Sequence, residues 1–332
     1  MPLTKLEETY QKFQLALTSL KDAQKLDTFS AVIETFANLL DEDEFQQADY
    51  PESLQETLAQ QYQEIDLWAL KPQQRRLLLQ MIILKTYQTE KIQANHQMTP
   101  DTIGLLVGYL VEKMTANKSK LKLCDLAIGT GNLLATVVQG LLQANKDLQL
   151  SGIDNDDTQL TLASLAFELL QQPINLLHQD ALAPLVLDLQ DVIIGDLPVG
   201  YYPLDQRSQG YMLHFEEGHA YTHYLMIEQT LRYLQPAGLG ILLVPSDLFM
   251  QKAGTKVLEC IKASGYFQAF LNLPANLFNA NQSQKSILVI QKHGSTAKQA
   301  KQVLLGDFPD LKDQLATNEF LTTIEEWIKQ EF

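Results

Sequence analysis

The amino-acid sequence predicts an α/β protein in which a doubly wound, mainly parallel sheet follows an all-helical N-terminal domain. Residues 1–95 contain no glycine, and their apolar residues recur at three- and four-residue steps, a pattern typical of packed helices. From residue 121 onward, short apolar runs alternate with helical patterns, which is typical of βα units. We therefore divide the chain into a helical domain, residues 1–95, and an α/β domain, residues 96–332.

Composition and charge limit the classes of protein to which the chain can belong. Its 332 residues carry 25 Lys and Arg against 40 Asp and Glu, a net charge of −15. A protein that grips duplex DNA alone usually presents a basic patch, so this balance counts against autonomous DNA binding without excluding a local basic groove. No apolar run reaches the length of about 18 residues that spans a membrane. Two cysteines and no signal-peptide pattern lead us to expect a cytoplasmic protein without membrane association.

Capping residues predict where several helices begin. Asp27 can cap the second helix. Pro51 and Pro72 fit the first turns of two later helices, because proline there sacrifices no intrahelical hydrogen bond. At the domain boundary Thr99 can cap another helix, with Pro100 at its first position. We interpret the helical domain as a module that packs on the later domain or binds a partner, a second copy of the chain included.

A glycine turn after the first predicted strand suits a nucleotide-type cofactor. Gly129 and Gly131 allow backbone conformations and a close ligand approach that a Cβ would obstruct. The helix that follows directs N–H groups and its positive dipole end toward the same place. A lone G-x-G is weak evidence, so the other strands have to support the assignment.

Acidic residues follow the next three predicted strands. The second strand ends in Asp154, 23 positions after Gly131, where a carboxylate can accept both ribose hydroxyls of an adenosine. The third leads to Asp180, placed to contact an adenine, and the fourth leads to Asp196. Because ligands of open α/β sheets bind at the carboxyl ends of the strands, we expect these side chains to meet there. The predicted strands cover residues 121–126, 148–153, 174–177 and 191–194.

Two residues distinguish between the candidate cofactors. The nicotinamide fingerprint has a third glycine three positions after Gly131, and Leu134 stands there. Asp125, on the strand itself, can meet a cationic amino group directly or through water. This pattern favours S-adenosylmethionine over a nicotinamide cofactor.

Six segments resemble, in order and spacing, the motifs of one enzyme family. They are Met98-Thr99-Pro100, DLAIGTGNLL (125–134), GIDNDDTQLTLA (152–163), QDAL (179–182), LRYLQPAGLGILLVPSDLF (231–249) and LPANLFNANQSQKSILVIQK (273–292). Over residues 96–293 the chain resembles the N6-adenine-specific DNA methyltransferases, among them the modification subunits of type I restriction–modification systems, and most closely the small YtxK-like branch. The resemblance implies a class I S-adenosylmethionine-dependent methyltransferase domain with a Rossmann-like doubly wound sheet.

The resemblance also implies which residues contact the cofactor. Carried over position by position, they are Met98, Thr99, Asp125, Ala127, Gly129, Thr130, Gly131, Asn132, Leu133, Asp154, Asn155, Asp180, Ala181 and Asp196. We expect no metal site. His214, His219 and His223 are accompanied by neither an HExxH pattern nor a cysteine pair.

The catalytic motif of the family, Asn/Asp-Pro-Pro-Tyr/Phe, stands here as DLPV (196–199). An exocyclic amine conjugated to its ring is a poor nucleophile, so its methylation depends on positioning and electrostatics. Asp196 keeps an acceptor for the amine N–H groups, and Pro198 keeps one rigid position. The valine that ends the motif cannot stack on a flipped base, so Tyr201 or Tyr202 would take that role.

Three hypotheses remain open on the sequence alone. The chain is an N-methyltransferase acting on adenine in nucleic acid, an S-adenosylmethionine-binding or assembly protein without catalysis, or a protein-glutamine or RNA N-methyltransferase. Only about 40 residues follow Lys292, too few for a base-reading domain, so we expect a partner to supply any DNA recognition. We interpret residues 279–285 as a polar loop over the sheet edge, and Ser246-Asp247 as the start of a helix.

Overall fold

The computed structural model describes residues 4–90, 94–250, 253–278 and 284–332. The chain divides into two compact units: Met1–Gln97 with Thr161–Pro173, and Met98–Leu160 with Ile174–Phe332. No sequence pattern indicated that a segment from within the α/β region would group with the helical residues. The predicted boundary between residues 95 and 96 stays a prediction.

The described residues contain twelve α-helices and eight strands. The helices are α1 (Lys5–Gln24), α2 (Thr28–Leu40), α3 (Glu42–Gln47), α4 (Glu52–Gln63), α5 (Pro72–Thr89), α6 (Asp101–Met114), α7 (Asn132–Gln143), α8 (Asp157–Leu169), α9 (Asp205–Ser208), α10 (Thr222–Tyr233), α11 (Gly254–Ser264) and α12 (Gln314–Glu331). The strands are β1 (Lys120–Asp125), β2 (Asp147–Asp154), β3 (Asn175–His178), β4 (Gln190–Asp196), β5 (Leu234–Pro245), β6 (Gly265–Asn272), β7 (Lys285–Lys292) and β8 (Leu304–Asp307).

Two of the three helix starts predicted for the first unit are confirmed. Asp27 caps α2, and its Oδ1 accepts a 3.0 Å hydrogen bond from the Ser30 N–H. Pro72 is the first residue of α5, as predicted. Pro51 instead precedes α4, because its ψ of 139° lies outside the helical range. The described part of the chain contains no helix with the length and apolarity needed to cross a lipid bilayer.

The second unit is built on one eight-stranded sheet with the order β3-β2-β1-β4-β5-β7-β6-β8. The five strands from β3 to β5 are parallel, whereas β7 runs antiparallel to both β5 and β6. The first four strands agree with the four predicted ones to within one residue at each end that falls short, so the predicted mainly parallel sheet is confirmed. The strand order reverses between β1 and β4, which places the ligand crevice of such a sheet there.

Glycines allow close packing of helix against helix and of helix against strand in the second unit. A Cβ on Gly104 of α6 would lie 2.8 Å from the Cβ of Thr136 on α7, and a Cβ on Gly240 of β5 would lie 2.8 Å from the Thr230 side chain on α10. These glycines therefore allow backbones to approach more closely than larger residues would permit.

The helix start predicted at Ser246-Asp247 is wrong. Residues 246–250 form a turn, because the Leu248 N–H donates to Pro245 O and the Met250 N–H to Asp247 O. Both bonds span three residues, whereas an α-helix uses bonds that span four.

Candidate active site

Three carboxyl groups lie at the edge of the sheet where the strand order reverses. Asp125 ends β1, Asp154 ends β2 and Asp196 ends β4. Asp125 is in register with Gly152 on one side and with Ile194 on the other. The structure therefore brings together acidic residues that are separated by many positions in the sequence.

The turn between β1 and α7 has the left-handed backbone that glycine accommodates. Gly129 has a φ of +52° and Gly131 a φ of +80°. The Gly131 N–H donates to Ile128 O at 2.8 Å. Because Gly131 precedes α7 and provides no side-chain cap, the positive end of the helix dipole faces this turn.

Asp154 joins the glycine turn to the end of the second strand. Its Oδ2 accepts a 2.9 Å hydrogen bond from the Gly129 N–H, and its Oδ1 accepts one of 3.0 Å from the Asp156 N–H. Its main-chain oxygen accepts from the Gln179 N–H at 3.0 Å. Each carboxylate oxygen retains lone-pair capacity for a further donor such as a ribose hydroxyl.

Asp125 is a fully buried acid with one oxygen unsatisfied. Oδ1 accepts a 3.0 Å bond from the Ala127 N–H, but Oδ2 has no hydrogen-bond partner among the described residues. Burial raises the pKa of Asp125 to about 8; the Ala127 bond opposes this shift, and the charges of Asp196 and Asp154 add to it. The group therefore holds a proton at neutral pH unless a cation approaches, and its orphaned oxygen fits a cationic ligand.

Asp180 already contacts two side chains from the segment that follows β4. Its Oδ2 accepts a 2.5 Å hydrogen bond from the Tyr202 hydroxyl and forms an ion pair with Arg207. Its Oδ1 accepts from the Leu182 N–H at 2.9 Å. Tyr202 is only 5% exposed, so it cannot offer a face to a base. Sequence reasoning found Asp180 but neither of its side-chain partners.

Thr99 does not cap α6 as predicted. The helix begins at Asp101 with Pro100 in the capping position. The Thr99 hydroxyl donates instead to Asp196 Oδ2 at 2.8 Å. The Asn132 side chain holds this segment by donating to Thr99 O at 2.7 Å and to Asp101 Oδ1 at 2.8 Å. The predicted motif at residues 98–100 therefore borders the carboxylate predicted to be catalytic.

Lys285 supplies the second side-chain contact of Asp196. Its ammonium forms an ion pair with Oδ1, and the residue begins β7. The sequence placed it in a polar loop; residues 279–283 of that loop lie outside the described residues, whereas Lys285 itself belongs to the sheet. Lys285 lies within residues 273–292, one of the segments that resemble the family's motifs. However, the sequence did not indicate its contact with Asp196, which depends on the antiparallel register of β7.

The departure from the family motif has a structural explanation. Leu197 is fully buried, and its N–H donates to Leu243 O at 3.0 Å, continuing the ladder of β4 with β5 by one residue. A proline has no N–H and cannot make this bond. Pro198 follows it and is half-buried.

Tyr201 presents an aromatic face beside the motif. It is 61% exposed and stacks on Tyr221 with ring centroids 4.9 Å apart and an interplanar angle of 16°. Tyr221 stacks in turn on His223, at 5.3 Å. The Thr222 N–H donates to Gly200 O at 2.9 Å, which pins the loop to the start of α10. The sequence predicted Tyr201 without its stack.

The remaining predicted cofactor residues differ in their exposure to solvent. Thr130 and Leu133 are buried, Met98, Ala127 and Ala181 are half-buried, and Asn155 is exposed, with its carbonyl 3.1 Å from His178 Nε2. Their roles stay predictions.

The three histidines considered for a metal site have separate environments. His214 Nδ1 contacts Tyr211 O at 2.7 Å, and His219 Nδ1 contacts Asp205 Oδ1 at 2.8 Å. Neither ring nitrogen of His223 has a partner among the described residues, and burial lowers its pKa to about 4. Within the described ranges, no group of three or more His, Cys, Asp or Glu side chains could hold a metal ion.

The sheet order, the glycine turn and the acidic strand ends define a class I S-adenosylmethionine-dependent methyltransferase fold. The family model for N-6 DNA methylases matches residues 81–330, more than half of the chain. The chain belongs to the N-6 DNA methylase family.

Similar proteins agree with this assignment. The uncharacterized protein YtxK of Bacillus subtilis (strain 168) is 37% identical over 237 residues, which are 71% of either chain. The crystal structure of lmo1582 from Listeria monocytogenes, provisionally assigned as a class I S-adenosylmethionine-dependent methyltransferase, is 38% identical, with a TM-score of 0.89 over 97% of this chain and 98% of that one. S-adenosylmethionine is thus the cofactor expected for this chain.

A more distant structure shows the same fold. It is the methyltransferase subunit of a type I restriction–modification system from Streptococcus thermophilus, 15% identical, with a TM-score of 0.64 over 95% of this chain and 74% of that one. At this identity the likeness concerns the fold alone.

Proposed function

We propose that the protein is an S-adenosylmethionine-dependent N-methyltransferase whose acceptor is an amino nitrogen conjugated to a ring, with adenine in nucleic acid as the first choice. The observation that carries this proposal is the fixed Asp196 carboxylate beside the buried Asp125, at the switch point of the sheet. It puts an acceptor for amine N–H groups next to a place that suits a cationic ligand.

The cofactor is held by the residues of the crevice. Asp154 accepts the ribose hydroxyls, Asp125 meets the cationic end of the ligand, and Asp180 borders the adenine. Gly129 and Gly131 keep the turn open for close approach. When bound, S-adenosylmethionine supplies a methyl group whose C–S bond breaks as the acceptor lone pair forms the new N–C bond; the products are S-adenosylhomocysteine and, after loss of one proton to water, the methylated amine.

The acceptor is oriented by the motif loop. Asp196 accepts an amine N–H, Pro198 holds the loop, and the exposed face of Tyr201 stacks on the planar ring that carries the amine. Stacking of this kind contributes to the binding of unpaired bases in general. An unpaired base is therefore the substrate form that this surface fits.

Recognition of DNA by this acidic chain would depend on a partner or on a local groove. The net charge of −15 opposes binding to a polyanion in the absence of such help. The helical first unit offers a surface for a protein partner or a second copy. The free, buried Cys124 and Cys260 fit a reducing compartment such as the cytoplasm.

The direct test uses S-adenosylmethionine with a radiolabelled methyl group, incubated with single-stranded DNA, duplex DNA, RNA and protein fractions. Label in DNA, or on adenine in RNA, supports the proposal. Label in protein, or elsewhere in RNA, moves the acceptor to the alternative N-methyltransferases, and cofactor binding without label identifies a binding or assembly protein.

An Asp196→Ala variant, which removes the acceptor oxygens, tests the catalytic assignment in the same assay. We expect it to bind the cofactor and to lose at least ~100-fold in transfer. Asp188→Ala is the matched control, because Asp188 precedes the amino end of the same strand and pairs there with Lys122. An active Asp196→Ala protein contradicts the role of Asp196.

A further inference from the structure

The Lys285–Asp196 ion pair connects two strands that are not neighbours. Asp196 ends β4 and Lys285 begins β7, with β5 between them in the sheet. Pro245, at the end of β5, is opposite Lys285 in the antiparallel register, so the lysine side chain crosses the end of that strand. The two side chains are 20% and 19% exposed. Screening by salt is weaker for such a partly buried pair than for an exposed one.

Asp196 is held from two directions. Thr99 donates to Oδ2 and Lys285 pairs with Oδ1. A carboxylate has about four lone-pair sites, so these contacts fix its orientation and leave capacity for an amine N–H. A carboxylate held on one oxygen only could rotate away from its acceptor.

The ion pair also offsets an excess of negative charge. Asp125, Asp154 and Asp196 lie close enough together for the last two to raise the pKa of the first. The nearby Asp180 has its own cation, Arg207. Lys285 serves the same purpose for Asp196.

We propose that Lys285 is a positioning residue for the acceptor amine and the counter-ion of the acceptor site. With Thr99 it holds Asp196 in one orientation, and its positive charge offsets the negative charge that the carboxylate brings to the acceptor site. The proton lost by the methylated amine passes to water. This inference rests on the proposed methyl transfer, although its charge component can be measured without any acceptor.

The first experiment separates positioning from a general structural role. Lys285→Met lowers kcat by about tenfold or more and does not raise KM for S-adenosylmethionine. Lys285→Arg, which keeps the charge, recovers most of the loss. Lys292→Met is the control, because Lys292 ends the same strand and donates to the main-chain Leu231 O. Equal losses of kcat in Lys285→Met and Lys292→Met overturn the positioning role.

The second experiment needs no methyl acceptor. S-adenosylmethionine carries one more positive charge than S-adenosylhomocysteine, so loss of a nearby cation raises affinity for the first relative to the second. Calorimetry measures the affinity for S-adenosylmethionine divided by the affinity for S-adenosylhomocysteine. We expect this ratio to be at least about threefold higher in Lys285→Met than in wild type, and to be unchanged in Lys285→Arg. Lys285→Gln is measured in parallel, in case Lys285→Met does not fold. It keeps a hydrogen-bond donor but loses the charge, so we expect the same increase in the affinity ratio.

The two experiments fail independently. An unchanged affinity ratio in both neutral variants overturns the counter-ion role, whatever the transfer assay shows. If the wild-type protein transfers label to none of the fractions, the proposed function fails, while the affinity ratio still decides whether Lys285 acts as the counter-ion of Asp196.

Discussion

The hydroxyl of Thr99 donates a 2.8 Å hydrogen bond to Asp196 Oδ2, although 97 positions separate the two residues in the sequence. Thr99 is 8% exposed, and Asn132 holds its main-chain oxygen. The segment before α6 thus supports the end of β4. Although the local sequence pattern indicates a helix cap, Thr99 instead joins two parts of the chain that are distant in sequence.

Thr99→Val removes this hydroxyl while keeping the shape of the side chain. A hydrogen bond to a charged group contributes about 1.5–3 kcal/mol. Because about 1.4 kcal/mol of activation free energy corresponds to a factor of ten in rate, we expect kcat to fall at least tenfold. We compare kcat at saturating S-adenosylmethionine, so that a loss of cofactor affinity does not enter the result. Thr102→Val, at an exposed position of α6, is the control. Similar transfer rates in both variants would show that Asp196 needs no support from Thr99.

Asp125 makes stability depend on pH. Its folded pKa of about 8 lies above the ordinary value of 3.8, so above about pH 4 the unfolded chain releases a proton that the folded chain keeps. The contribution of the Asp125 carboxyl to the free energy of unfolding is complete below about pH 4. This contribution falls by up to about 1.4 kcal/mol per pH unit as the pH rises toward 8. Asp125→Asn is neutral in both states. Urea unfolding of both proteins between about pH 5 and about pH 8 isolates the difference; parallel curves contradict the raised pKa.

The same acid links cofactor binding to proton release. A cationic ligand beside Asp125 favours the ionised form, so binding at about pH 7 releases up to about one proton. Calorimetry in two buffers with different ionisation enthalpies measures this number. Asp125→Asn releases fewer protons than wild type. Equal proton release by both proteins would assign the proton to another group.

Asp154→Ala removes the acceptor proposed for the ribose hydroxyls. The variant also loses the bond from the Gly129 N–H, which holds the glycine turn. We expect the affinity for S-adenosylmethionine to fall by ~100-fold or more, because two charge-assisted hydrogen bonds and the turn geometry are lost together. Calorimetry measures the affinity. Asp157→Ala, in which an 89% exposed carboxylate is removed three positions later, is the control. Unchanged affinity in Asp154→Ala rejects the ribose assignment.

Leu197→Pro restores the first proline of the family motif but breaks a hydrogen bond of this fold. It removes the N–H that donates to Leu243 O and part of a fully buried side chain. Leaving a buried carbonyl unpaired costs about 1–3 kcal/mol, and the truncation of buried leucine to alanine costs about 2–5 kcal/mol. Leu197→Ala isolates the packing contribution, and urea unfolding measures both variants. A Leu197→Pro protein at least as stable as Leu197→Ala would show that the Leu197 N–H bond contributes nothing.

The sequence by itself determined the parts of this protein that depend on local spacing. The four parallel strands, the turn around Gly129 and Gly131, and the acid at Asp154 follow from alternation, glycine geometry and the rule that ligands bind at strand ends. Each needs only residues within one βα unit. The same spacing led to S-adenosylmethionine, which family membership supports.

Only the tertiary structure decided which side chains meet at the catalytic motif. The pairing of Lys285 with Asp196 depends on β7 lying beside β5 in antiparallel register, and the partner of Thr99 depends on how α6 meets the end of β4. The protonation of Asp125 depends on full burial among carboxylates from other strands. Long-range register and burial are set by the packing of the whole sheet, and no local pattern contains them.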